Sequence, residues 1–232
     1  MSDPSASWSS GMPPVRILYG GTFDPVHVAH LRNVLEAQAA VADCLGVSTG
    51  RVPVHLLPCA QPAHRAQPGA GAQDRLRMLE SAIEGVPGFV ADPRELYRSG
   101  PSYTVDTLAS FRYEFGPDVA LILLMGRDAF RNFHTWHRWL EIVRLAHIMV
   151  MNRPGEDRPF DGPVKDLLST HETDTLFDLI HAPFGRIHER TFRLLDISST
   201  EIRAAVANGK SIRYLVPDGV YTHIQTHRLY QQ

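Results

Sequence analysis

Along this chain, short apolar runs alternate with longer stretches in which apolar residues return every three to four positions. The runs are VRILYG (15–20), RVPVHLLP (51–58), DVALILLMG (118–126) and AHIMVMN (146–152). Each has the length and composition of a strand. DVALILLMG is apolar almost throughout, which requires cover on both faces and predicts a central strand of a parallel sheet. Between the runs, Leu31, Leu35, Ala42 and Leu45 form one helical stripe, and further helices are predicted over 73–84, 102–115 and 135–145. NRPGEDRPFDGPV (152–164) is a Pro- and Gly-rich loop with a helix expected after it. Strands alternating with helices predict an α/β fold on a mostly parallel sheet, with a helical C-terminal portion. Residues 1–14, rich in Ser and Pro, are expected to be a disordered leader to a single domain over 15–232.

Charge narrows the function. Lys and Arg total 23 against 25 Asp and Glu, for a net charge of −2. That balance gives no basic footprint for nucleic acid or a membrane surface, and small ligands become the default. The two cysteines, Cys44 and Cys59, form neither a C-x-x-C motif nor a disulfide framework. No signal peptide and no apolar run near ~20 residues is present, so a cytoplasmic location is expected.

Candidate chemistry concentrates where the first strand ends. Gly20-Gly21 followed by a helix start brings bare backbone N–H groups and a positive helix end to one point, the geometry of an anion site. His27 and His30, three apart, share a helix face aimed at the same place. Three readings fit them: donors to a phosphate, a metal pair, or surface histidines. Zinc is disfavoured by the missing glutamate of H-E-x-x-H and by the lack of a cysteine nearby. No G-x-G-x-x-G is present, and GKS at 209–211 lacks the first glycine of a Walker loop, since position 204 is Ala204. A second helix start is written in LDISSTEIRAAVANG (195–209): Ser198 and Glu201 make a capping box, Asn208-Gly209 a stop, and a helix is predicted over 199–207.

GGTFDPVHVAH (20–30) together with ISSTEIR (197–203) resembles the nucleotidylyltransferase superfamily, and within it the bacterial nicotinate-nucleotide adenylyltransferases. PAHR (62–65), PSYTVDTL (101–108), GRDAF (126–130) and TW (135–136) extend the resemblance from about Val15 to Tyr230. The departures are the leader, Ala29 before the second histidine where relatives often have glycine, and His137 where an aromatic residue is common. The resemblance implies a Rossmann-like, doubly wound sheet. It also implies a reaction in which ATP and nicotinate mononucleotide give nicotinate adenine dinucleotide and pyrophosphate, with Mg²⁺ held mainly by the substrate phosphates. Other acceptors of the superfamily, nicotinamide mononucleotide, pantetheine phosphate or FMN, stay open at this point, as does a non-catalytic nucleotide-binding protein. A homo-oligomer is also allowed for.

By the same resemblance His27, His30 and Arg203 are the catalytic residues, and Gly20, Gly21, Thr22, Phe23, His64, Ile197, Ser198 and Ser199 line ATP. Thr104, Gly126, Asp128 and Trp136 are assigned to the mononucleotide. Plainer readings stand beside these. His64 fits a solvated loop, and Thr104 fits a helix cap. Asp128 fits the N-cap of a helix beginning near Ala129. Trp136, Trp139, Leu140 and Val143 fit a buried helical stripe. His223 and His227 fit a solvated terminal helix better than a metal pair.

Overall fold

The computed structural model describes residues 14–60, 68–152, 155, 158–193 and 195–231. Six strands, β1 (Val15–Gly21), β2 (Val54–Pro58), β3 (Phe89–Ala91), β4 (Ala120–Gly126), β5 (His147–Asn152) and β6 (Ile187–Thr191), form one sheet in the order β3-β2-β1-β4-β5-β6. All five pairings are parallel. The doubly wound arrangement expected from the sequence is therefore present, with two strands that the apolar runs did not reveal. β3 has three residues, none fully buried, and β6 is IHERT, so one edge strand is too short and the other too polar to stand out as an apolar run.

The helices are α1 (Val28–Leu45), α2 (Ala72–Ile83), α3 (Thr104–Phe115), α4 (Arg127–Arg131), α5 (Trp139–Ile142), α6 (Gly162–His171), α7 (Phe177–His181), α8 (Ser199–Ala207) and α9 (Asp218–Thr226). They cover both faces, and the pleat of β4 shows how. Ala120, Ile122 and Leu124 join a core with α1, α2, α7, α8 and α9, whereas Leu121, Leu123 and Met125 join one with α3, α5 and α6. A fully buried side chain of this kind contributes roughly 1.5–3 kcal/mol, which is why a central strand tolerates no polar face.

Two predicted helices differ in detail. On α1 the buried stripe runs through Val34, Ala37, Val41 and Leu45, and Leu35 is 37% exposed. The single helix expected over 135–145 is broken: a 3₁₀ turn spans Phe133–Thr135, and α5 begins only at Trp139, behind Arg138 at a left-handed φ of 51°. Pro14 is no loose leader residue, since its carbonyl accepts from Ala120 N at 2.8 Å; residues 1–13 lie outside the described residues. Among the described residues no helix is long and apolar enough to cross a membrane.

Candidate active site

Strand order reverses between β1 and β4, and in such sheets ligands bind in the crevice outside the carboxyl ends of those strands. Both end there in glycine. A Cβ on Gly20 or Gly126 would meet nothing within 4 Å, so backbone faces open space at both. At Gly21 a Cβ would stand 3.0 Å from the Phe23 ring, so packing dictates that glycine. Phe23 holds a left-handed φ of 49° and is 1% exposed. Its backbone strain, on the order of 1–3 kcal/mol, is offset by the buried ring, which meets His30 edge-on with centroids 5.2 Å apart.

His27 is the N-cap of α1, and with His30 it makes a capping box built from two imidazoles. His27 Nδ1 accepts from His30 N at 3.4 Å, and His30 Nδ1 accepts from His27 N at 3.3 Å. The rings stack, with centroids 3.6 Å apart. Because each Nδ1 is an acceptor, a neutral ring carries its proton on Nε2. Burial pushes the His27 pKa down to about 4, so that imidazole is neutral at physiological pH. The first turn of α1 has no acidic residue, which leaves its positive end uncompensated. The site thus presents fixed N–H donors at a helix N-terminus, suited to an anion whose charge grows during reaction.

The second helix start meets the first. Ser199 Oγ donates to Pro25 O at 2.9 Å, and Arg203 Nη1 donates to Asp24 O at 2.7 Å, which seats α8 on the β1–α1 turn. The predicted capping box is present: Ser198 Oγ accepts from Glu201 N at 3.2 Å, and Glu201 Oε2 accepts from Ser198 N at 3.1 Å. Both serine hydroxyls are engaged within the protein, so α8 offers a ligand its backbone N–H groups and Arg203, whose side chain is 33% exposed. Ile197 is half-buried against the α1 core. His64 lies outside the described residues.

Two residues that sequence reasoning passed over tie this corner together. Asp24, 3% exposed, accepts from Gly69 N at 2.8 Å and Ala70 N at 3.0 Å, which fixes the chain just after the segment that contains His64. Arg75 on α2 is 1% exposed; it donates to Thr22 O at 2.7 Å and to Ala60 O at 3.4 Å, and its Nε has no partner. No carboxylate of the described residues pairs with it, so a buried positive charge stands behind the phosphate turn. A signal existed in the sequence. Arg75 falls on the same stripe as Met78, Leu79 and Ile83, and a charge on an apolar stripe calls for explanation.

On the acceptor side, Thr104 is the first residue of α3 and not its cap; the N-cap is Tyr103, which makes no side-chain cap bond. Ser102 Oγ instead accepts from Ala60 N at 3.1 Å. Asp128 is likewise no N-cap: α4 begins at Arg127 behind Gly126, and Asp128 lies exposed in its first turn. Trp136 is half-buried and edge-on to Phe133 at 5.6 Å, off any continuous helical stripe because the helix is broken there. His137 stacks on Tyr103 at 4.2 Å, filling an aromatic role with an imidazole and bringing the Trp136 segment to the start of α3. Thr104, Gly126, Asp128 and Trp136 therefore gather on the β4 side, and the His27, His30 and Arg203 group on the β1 side.

Other histidines are structural. His147 has both ring nitrogens engaged, Nε2 with Ala182 O at 2.7 Å and Nδ1 with Arg186 N at 3.0 Å, and burial pushes its pKa down to about 4. His55 bridges Arg16 and Asp92. His223 is not solvated as expected: it pairs with Asp74 of α2 at 3.0 Å, and its side chain is 13% exposed.

Comparison with known proteins bears on this geometry. The cytidylyltransferase-like family model matches residues 18–205. A probable nicotinate-nucleotide adenylyltransferase of Hahella chejuensis is 44% identical over 214 residues, 92% of this chain and 94% of that protein. The chain belongs to this family. A second relative with the same description, from Cellvibrio japonicus, is 42% identical over 95% of this chain and all of its own length. Among solved structures, Plasmodium falciparum nicotinic acid mononucleotide adenylyltransferase complexed with NaAD shares the fold, with a TM-score of 0.66 at 16% identity over 94% of this chain and 97% of its own.

Proposed function

We infer that the protein transfers the adenylyl group of ATP to nicotinate mononucleotide, releasing pyrophosphate. The observation that carries this reading is the histidine capping box: two stacked imidazoles, Nδ1 atoms bound internally, at the uncompensated N-terminus of α1 and beside a second helix start. The 5′-phosphate of the mononucleotide has a second pKa of about 6 and is an ionised nucleophile at neutral pH. Its oxygen forms a bond to the α-phosphorus of ATP as the bond from that phosphorus to the bridging oxygen of pyrophosphate breaks. No proton has to be removed, so the site needs positioning and charge neutralisation.

In this assignment the Nε2–H groups of His27 and His30 donate to the α-phosphate oxygens, the β1–α1 turn at Gly20, Gly21 and Thr22 receives the chain of phosphates, and the start of α8 with Arg203 receives the β,γ end. The buried guanidinium of Arg75 adds positive charge behind the turn. Among the described residues no cluster of three or more His, Cys, Asp or Glu side chains is set to cage a metal. In this assignment a magnesium ion would be held by phosphate oxygens and water and would neutralise charge on the leaving pyrophosphate. On the β4 side, the first N–H groups of α3 at Thr104 receive the pyridine carboxylate, Asp128 accepts from a ribose hydroxyl, and Trp136 covers the ring.

Purified protein with ATP, Mg²⁺ and a panel of acceptors, read by pyrophosphate release, tests the reaction. Release with nicotinate mononucleotide is expected. Release only with pantetheine phosphate, FMN or nicotinamide mononucleotide would reassign the acceptor, and no release with any would sink the enzymatic reading.

A further inference from the structure

The segment after α9 returns to the phosphate site. Arg228 and Tyr230 hold left-handed φ values of 51° and 62°, which side chains rarely adopt. The Tyr230 hydroxyl donates to Asp24 Oδ1 at 2.8 Å, and its ring lies 3.3 Å from where a Cβ on Gly69 would stand. Asp24 is thus a junction. One oxygen takes Ala70 N and Tyr230; the other takes Gly69 N and faces Arg203 Nη1 at 3.5 Å, and the Asp24 carbonyl takes that same nitrogen at 2.7 Å. Burial and the adjacent carboxylate raise the Tyr230 pKa well above its ordinary value, so the phenol stays a donor.

We propose that Tyr230 is a positioning residue of the nucleotide site, acting through Asp24 to set the guanidinium of Arg203 against the β1–α1 turn. The physical reason is competition for one carboxylate. While Tyr230 and the two backbone N–H groups share its charge, Arg203 is held at 3.5 Å from the nearer oxygen and keeps an exposed face for a phosphate. Without the phenol, the carboxylate has unused acceptor capacity and draws Arg203 into a closer pair, away from the ligand. The proposal rests on the reading of this corner as the ATP site.

Tyr230→Phe removes the hydroxyl and keeps the ring on Gly69. KM for ATP should rise about threefold to tenfold, while KM for nicotinate mononucleotide stays within about twofold. In an Arg203→Lys background the same change should alter KM for ATP by less than about twofold, because the group it orients is already lost. An unchanged KM for ATP, equal rises in both constants, or an undiminished effect beside Arg203→Lys would each overturn the proposal and leave Tyr230 a packing residue. The rise in thermal midpoint on adding ATP reads the same contact without turnover. If the parent releases no pyrophosphate, adenylyl transfer fails, yet a smaller ATP-induced shift in Tyr230→Phe still supports the positioning role. A parent-like shift overturns that role alone, and no ATP-induced shift in the parent overturns both.

Discussion

The two halves of the crevice are built by different means. On the β1 side, one turn and two helix starts carry the chemistry, and nearly every group is fixed at least twice: His27 and His30 bind each other through backbone and stacking, and α8 is anchored by both Ser199 and Arg203. On the β4 side, Thr104, Gly126, Asp128 and Trp136 come from three separate segments, joined by core packing and by the Tyr103–His137 stack. The difference teaches where precision is needed. Stabilising a reacting phosphoryl group requires donors held in place before reaction, whereas recognising an acceptor requires a shaped surface that other family members can vary.

The largest expected effect breaks the β1 half. His27→Ala or His30→Ala should lower turnover by about 10²- to 10³-fold with a smaller change in KM, since the lost donors act mainly as charge develops. Near-parental turnover with only a lower thermal midpoint would make the capping box structural. Next comes the β4 half: nicotinate mononucleotide should exceed nicotinamide mononucleotide in kcat/KM by roughly tenfold to several hundredfold, because the amide NH₂ would face the N–H groups that open α3. Steady-state kinetics of both acceptors at saturating ATP measures it, and equal values would mean that α3 does not read the carboxylate.

The same substitution in both halves sharpens the comparison. A Cβ meets nothing within 4 Å at Gly20 or at Gly126, and neither has a positive φ, so Gly20→Ala and Gly126→Ala should fold like the parent. Gly20→Ala should raise KM for ATP by about tenfold with little change for the acceptor, and Gly126→Ala should do the reverse. Matching changes in both constants for either variant would show that the halves are not separate.

Legibility in the sequence followed the same division. The β1 half lies in two runs of contiguous residues, GGTFDPVHVAH and ISSTEIR, and its capping box at Ser198 and Glu201 and the bounds of α8 were readable from spacing alone. On the β4 side, single residues carried a second, local reading beside the assigned one. Asp128 was open to reading as a cap because the helix start at Arg127 lacks a capping side chain, and Trp136 as part of a stripe because nothing in TWHRWLEI announces the left-handed Arg138. The central strands were plain because both faces are buried, while β3 stayed hidden because it has only three residues and β6 because IHERT carries polar ones. Asp24 and Tyr230 were missed for a further reason: their partners lie 45 or more positions away, beyond any local pattern, and Arg75 showed only as a charge on an apolar stripe.

The smallest effect at neutral pH concerns two histidines with similar titration and different duties. His27 and His147 are both pushed down to about 4 by burial, against an ordinary value near 6.5. The unfolded chain binds their protons first as pH falls, so stability is fully present above about 6.5 and is lost progressively toward 4. Denaturant midpoints between pH 7.5 and 4.5 should decline accordingly, while turnover shows no ionisation of His27 between about pH 5.5 and 8. A flat stability profile would show that neither ring is desolvated as described.

Arg75 gives the crevice a mechanical property that neither half has alone. One guanidinium holds Thr22 O and Ala60 O, and Ala60 N in turn holds Ser102 at the approach to α3. The turn on one side and the approach to α3 on the other are thereby tied to a single buried group, so the spacing between the two halves is set by one side chain.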